Sequence, residues 1–473
     1  MRKKLARLAV VVTVITLVAS GCAKTGQVTG SGDLTDAETE NIVRRSYQYI
    51  AMYNVITKNA AFYGAQTGTN GWNVHFADTE LKDHSYTAIA RPNNDTLYAG
   101  CMLDLRAEPM IIEYPAFDSK YAVLETSAYD HFCEIPLSTT SGDFEKPTRI
   151  LYYTARTEGY FGEPVDGVDT VMELTGDFAI AFLRVMPHAA EPERMERNIA
   201  TMQEVTVRGL SEYRGDAAPP ADSVDFPAVG TDLGVFENNF LEVMQFVFNH
   251  TTFDPDDEMD QAVLAAMSRL GVAPGKDYDA DAVAEIDGSR LADVAGKVAR
   301  ETMEMVTSGE ATPHMNELFK PKGEMTLEAM VLQSVTGPIG VPAHQAVYPA
   351  IVTTDGSSTN AQYDYVIRMS PEEMPPAGAF WSVTLYNLEN GFFIPNDRKK
   401  YSVGENAGMK LNQDSGIEIH IAAEQPEGVP DENWLPLNRG DYGIDAIMRI
   451  YAPDLERMGT WTAPKAEKLI GGE

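Results

Sequence analysis

The chain lacks the signatures of the commonest enzyme classes. It has no GxxxxGK[ST] loop, no GxGxxG after a strand, no GxSxG elbow and no HExxH. These absences argue against nucleotide enzymes, esterases and zinc proteases of familiar type, and leave room only for chemistry built from scattered residues. Cysteine is scarce, with Cys22, Cys101 and Cys133 alone, and no CxxC or Cys/His spacing offers a zinc site. Cys101 shares parity with Leu97, Ala99, Leu103 and Leu105. A buried thiol and a disulfide to Cys133 both fit that placement. Basic residues are few: 37 Lys and Arg face 70 Asp and Glu, a net charge of −33. So acidic a chain repels phosphate backbones, which excludes nucleic acid as a natural partner. Long hydrophobic runs are missing too. Leu8–Val18 is eleven residues, short of the roughly 20 that a spanning helix needs.

What is present at the start reads as a targeting segment. Arg2, Lys3, Lys4 and Arg7 precede the apolar run, and Ala19-Ser-Gly-Cys22 follows it. That order is expected of a lipoprotein signal over 1–21, with Cys22 acylated; ordinary secretion with cleavage nearby is the alternative. Residues 22–35 form a polar tether. The expected location is the bacterial cell envelope, facing the periplasm from the outer membrane, with the acylated N-terminus as the only membrane contact.

The body divides by texture. Thr35-Asp-Ala-Glu38 is a capping box opening a helix over 36–65. From about 70 to 185, segments such as TLYAGCMLDL, MIIEYP, YAVLETSAY and FAIAFLRVM alternate with turn residues, as in a β-sandwich. Residues 191–212 read as helix and 216–229 as a connection. Helical stripes fill 233–335: Phe236, Phe240, Val243 and Val247 form one, Leu291, Val294 and Val298 another. Strands return after 336, where Trp381, Val383 and Leu385 alternate with Ser382, Thr384 and Tyr386 and Asn390-Gly391 signals a hairpin. The chain is therefore expected to be mainly β with a helical insert. An N-terminal helix plus β-sandwich covers 36–230, a helical segment 231–335, and a jelly-roll-like C-terminal sandwich 336–465.

Three clusters could carry chemistry. The first is the corner Arg91, Asn94, Asp95 and Tyr98, with Asp130 and His131 as partners from the end of a later strand. Asp95, Asp130 and His131 would be catalytic in a cation-assisted hydrolase; the plainer reading is polar capping of strand ends. The second is Glu418 and His420, on one face of a strand with Glu424 beyond. They would hold a divalent cation, or else form the solvated side of a sheet. The third is Asp445, Arg449 and Tyr451 on one strand face, with Trp434 nearby. Arg, Tyr and Trp together can grip a carboxylate or stack on a sugar, and Asp and Arg can equally pair in a structural ladder.

PNNDTLYAGCMLDL, EYP and YAVLETSAYD resemble the bacterial domain of unknown function numbered 1254. FWSVTLYNLENGFFIPNDRKKYSVG, LNQDSGIEIHI and ENWLPLNRGDYGIDAIMRIYAPD resemble the domain of unknown function numbered 1214. The resemblance implies two β domains around a helical segment, often in exported proteins, and carries no catalytic residues across. Many such relatives have Gln where Glu125 stands. The leading expectation is an envelope lipoprotein that binds a small polar molecule or glycan between its β domains. Arg91, Asn94, Tyr98, Trp434, Arg449 and Tyr451 would line that site. A hydrolase using a divalent cation and an assembly or scaffold protein are the rivals, and a homo-oligomer is left open.

Overall fold

A computed structural model describes residues 34–469, apart from 88–89, 221, 309 and 358. The leader, Cys22 and most of the tether lie outside the described residues. The architecture is mainly β: an N-terminal β domain, a helical region and a C-terminal β domain. Among the described residues, no helix is long and apolar enough to cross a membrane.

The N-terminal domain stacks two sheets. One runs in the order His75–Asp78, Leu97–Asp104, Phe178–Val185, Ala122–Ala128, Cys133–Ser138, all antiparallel. The other runs Thr170–Leu174, Thr148–Thr154, Met110–Tyr114, Thr206–Gly209. Alternation sends Leu97, Ala99, Cys101, Leu124, Ala181 and Leu183 inward against Ile112, Tyr114, Ile150 and Tyr152. Cys101 and Cys133 are both buried and free, so the thiol reading of Cys101 holds. Residues 191–212 are not one helix. The helix ends at Gln203, and Thr206–Gly209 adds an edge strand beside Met110–Tyr114 before a short helix resumes.

The capping box is formed as the sequence indicated, with Thr35 and Glu38 bonding each other's backbone N–H. The long helix Asp36–Thr67 does not simply lie on the β domain. Val43, Tyr47, Ile50 and Tyr53 share one core with Phe236, Phe240, Val243, Leu291 and Val298 from the downstream helices. Its buried positions are spread too widely for a single stripe, so it becomes the hub of the helical region. Its far side rests on Trp72 and on Met102, Phe178 and Ile180 of the first sheet.

The C-terminal domain is a second sandwich. One sheet is Ala346–Val347, Ile444–Pro453, Ala377–Asn387, Ser402–Gly404, with Ala350–Ile351 also on Ile444–Pro453. The facing sheet is Trp434–Pro436, Ile417–Ala422, Asp364–Met369, Ala466–Leu469. Trp381, Val383, Leu385, Met448 and Ile450 fill the space between. At Asn390-Gly391 only Gly391 takes positive φ. The turn is wider than a two-residue hairpin, and its arms meet at a single Tyr386–Phe393 bridge.

Candidate functional site

The two β domains meet through their outer faces. Residues of even number on Ala377–Asn387 and odd number on Ile444–Pro453 point away from the C-terminal core, because their neighbours fill it. That outward face carries Phe380, Ser382, Thr384, Tyr386, Asp445, Arg449 and Tyr451, and the corner 91–96 lies on it. Tyr121, Val123 and Met186 pack there against Val341, Ala346, Phe380 and Tyr451 as an apolar seam. The Phe380 and Tyr451 rings stack with centroids 4.0 Å apart.

Beside this seam the contacts are polar, and those of Asp95 with Ser382 and Tyr451 are buried. Asp95, 1 % exposed, accepts hydrogen bonds at Oδ2 from the Ser382 hydroxyl at 2.6 Å and the Tyr451 hydroxyl at 3.0 Å. Asn93 donates to the Tyr451 hydroxyl at 3.1 Å and accepts from the Asp95 N–H at 2.6 Å. Arg449, 4 % exposed, donates from Nη2 to the carbonyls of Arg91 at 3.1 Å and Pro92 at 3.4 Å. Tyr386 donates to the same Pro92 carbonyl at 2.6 Å. Arg91 has φ +52, a left-handed conformation costly for a residue with a Cβ, and its N–H is fixed on the Gly391 carbonyl at 2.7 Å. Asn94 orients the corner by donating to the Lys82 carbonyl and accepting from Ser402.

Three atoms on this outward face remain unspent. Asp95 Oδ1, Thr384 Oγ1 and Arg449 Nη1 are buried without a hydrogen-bond partner. Burying a guanidinium costs several kcal/mol unless its charge is compensated and its donors are satisfied. Arg449 makes no ion pair with a carboxylate among the described residues. Tyr386 faces it at 5.4 Å and Tyr348 at 6.0 Å from the ring centroids, which supplies cation–π attraction. Burial opposes its charge, and Tyr386, Tyr451 and Asp95 more than offset that, so its pKa lies above the ordinary arginine value.

A second buried arginine lies in the N-terminal β domain. Arg184 pairs with Glu125 on the neighbouring strand, Nη2 to Oε2 at 2.7 Å, and both are under 10 % exposed. Burial lifts the Glu125 carboxyl to about 7, against the pull of Arg184. Tyr98 and Phe182 stack at 5.1 Å beside this pair, and the Arg184 guanidinium lies over both rings. Tyr348 stands between the two arginines. Burial raises its hydroxyl pKa, with Arg184 and Arg449 opposing, yet 39 % of its surface is accessible. The Tyr348 ring thus packs against the buried arginines while part of its surface reaches solvent.

The sequence candidates thus separate. Arg91, Asn94, Asp95, Arg449 and Tyr451 come together, and Tyr98 forms the adjoining wall. Asp445 does not pair with Arg449; it takes the Arg91 side chain at 2.8 Å. Trp434 is not in the junction. It belongs to the far sheet of the C-terminal sandwich, where it donates to the Ala422 carbonyl at 2.9 Å and the domain core intervenes.

Asp130 and His131 do not join Asp95. Leu97 and Ala122 both lie opposite Val185, whereas Asp104 and Ala128 lie opposite Phe178 and Ala179. Asp95 and Asp130 therefore sit at opposite ends of the sheet, about 20 Å or more apart at ~3.3 Å per residue. His131 is spent on structure: Nδ1 meets Ser334 at 2.9 Å and Nε2 meets the Pro338 carbonyl at 2.8 Å. Burial lowers its pKa to about 4. Asp130 faces Lys322 at 3.8 Å, and Lys322 is held at 2.5 Å by Asp260.

Glu418 and His420 share a face and touch at 3.3 Å, but Glu418 also binds Arg368 at 3.0 Å in a surface ladder. The strand ends at Ala422, before Glu424. Among the described residues no group of three or more His, Cys, Asp or Glu is arranged to hold a metal ion.

Arg184 and Tyr348 were not singled out from the sequence, and Tyr386 was noted on its strand but not as a site residue. One signal was available: an arginine inside the apolar strand Phe178–Val185 demands a buried partner.

Family models match both β domains. Residues 73–208 match the protein of unknown function DUF1254, and residues 345–455 match the protein of unknown function DUF1214. The chain is a DUF1254–DUF1214 protein. The corner 91–98 belongs to the DUF1254 match and Arg449 and Tyr451 to the DUF1214 match, so the site lies where the two domains touch. The VPA0106 protein from Vibrio parahaemolyticus is similar in fold, with TM-score 0.66 and 23 % identity over 91 % of this chain and 100 % of that one. An uncharacterised protein from Burkholderia cenocepacia aligns over 92 % of this chain and 95 % of its own, at 13 % identity and TM-score 0.42. No curated protein matches the chain.

Proposed function

We propose that the protein is an envelope lipoprotein that binds a small polar molecule or glycan at the junction of its β domains. The observation that carries this is the buried Arg449 guanidinium, whose Nη1 has no partner beside the equally unpartnered Asp95 Oδ1. Structural ion networks tend to satisfy themselves; unpaired donors and acceptors close to the partly exposed Tyr348 ring are what a bound molecule would complete. With Asp95 at one end of the sheet and Asp130 and His131 at the other, binding is the reading we favour over hydrolysis.

The test is to purify the wild type and Arg449→Gln under mild conditions and identify co-purifying small molecules by mass spectrometry. A polar compound enriched in the wild type and at least tenfold depleted in a folded variant is expected. Equal retention by both sinks the proposal. The envelope address rests on Cys22 and the run before it. Cys22→Ser should move the protein from the membrane fraction to the soluble one, and unchanged fractionation would refute lipidation.

A further inference from the structure

The unspent atoms at the junction have a definite chemistry, and they specify a ligand class. This inference rests on the binding role proposed above. Arg449 presents one free donor edge. Glu125 already occupies Arg184, so the two guanidiniums do not act as a clamp for a dianion. Asp95 Oδ1 is a bare acceptor on the same outward face, and it makes no ion pair with Arg449. Thr384 and Tyr121 add two buried hydroxyls without partners. One cationic edge, one carboxylate acceptor and neutral hydroxyls complement a molecule with a single carboxylate and a hydroxyl beside it. A neutral sugar would leave the guanidinium uncompensated, and a phosphate would bring a second charge against Asp95.

We propose that this junction takes a small hydroxy-carboxylate, such as a uronic acid or an α-hydroxy acid, with its carboxylate on Arg449 and a hydroxyl on Asp95. Tyr348 is the side chain that turns to admit it. Arg449 Nη1 is closed from solvent, Tyr348 packs over that guanidinium, and among the described residues no hydrogen bond restrains the Tyr348 hydroxyl. The Tyr98–Phe182 stack gives an apolar wall for the carbon skeleton.

The experiment is isothermal titration at constant ionic strength, with glucuronate and glycolate as probes and glucose and ethylene glycol as their neutral counterparts. Saturable binding of a carboxylate probe is expected, at least tenfold tighter than its neutral counterpart. Arg449→Gln should abolish that preference. Should that variant fail to fold, Tyr348→Ala provides the second reading, because a partly exposed ring can be removed without emptying a core. It should change carboxylate affinity at least threefold. Neutral probes that bind as well as the carboxylates, and still depend on Arg449 or Tyr348, would overturn the carboxylate assignment and leave the junction site standing. Binding of neither class, or binding indifferent to both substitutions, would overturn the two together; the unpartnered atoms would then be solvated by enclosed water.

Discussion

At the scale of single residues, the fold encloses several carboxyls whose environment opposes their charge. Asp130 is the clearest case: burial lifts its carboxyl to about 6, with Lys322 opposing. The folded state thus holds this proton more tightly than the unfolded chain, whose ordinary value is near 4. The native state binds more protons between the two values, so stability falls as pH rises from about 4 to about 6 and stays lower above. Asp130→Asn should remove that fall, leaving the variant more stable than the wild type at pH 7 by up to about 3 kcal/mol. Urea unfolding of both proteins at pH 4, 5, 6 and 7 checks this. Parallel curves would show that Asp130 is ionised without cost. Lys322 keeps Asp260 in the variant, so no lone cation is created.

At the scale of elements, periodicity was a good guide and sequence distance a poor one. The inward faces of Leu97–Asp104, Ala377–Asn387 and Ile444–Pro453 follow directly from alternation, because a strand has only two sides. Alternation also showed that Asp445, Arg449 and Tyr451 share a side. It could not show what that side meets. Asp95 and Ser382 lie 287 residues apart, and only the docking of two sandwiches brings them to 2.6 Å. Asp130 and His131 misled for the same reason: proximity to a strand end says nothing about which end of the sheet it is. Trp434 was drawn into the site by nearness in sequence to Arg449, but the chain changes sheets between them. Residues 206–209 read as helix because flanking helical residues masked a four-residue edge strand, a length at which periodicity carries little information.

For the whole molecule, the excess of acidic residues sets the response to salt. A net charge of −33 repels itself in the compact state, and the repulsion is screened as the Debye length shrinks from about 10 Å at 0.1 M to about 3 Å at 1 M. The thermal midpoint should rise by a few degrees between 0.05 and 1 M sodium chloride, and similarly in potassium chloride. Scanning calorimetry measures this, and a midpoint that falls with salt would contradict it. The paired strands Ala377–Asn387 and Ile444–Pro453 have a consequence for inheritance. One surface of each belongs to its own sandwich, the other to a foreign domain. Gaining or losing a single codon within either would exchange the two surfaces beyond that point and damage both halves in one event. Lineages carrying this architecture should therefore tolerate length variation in their loops and almost none in these two ribbons, and the two halves should seldom be found apart in genomes.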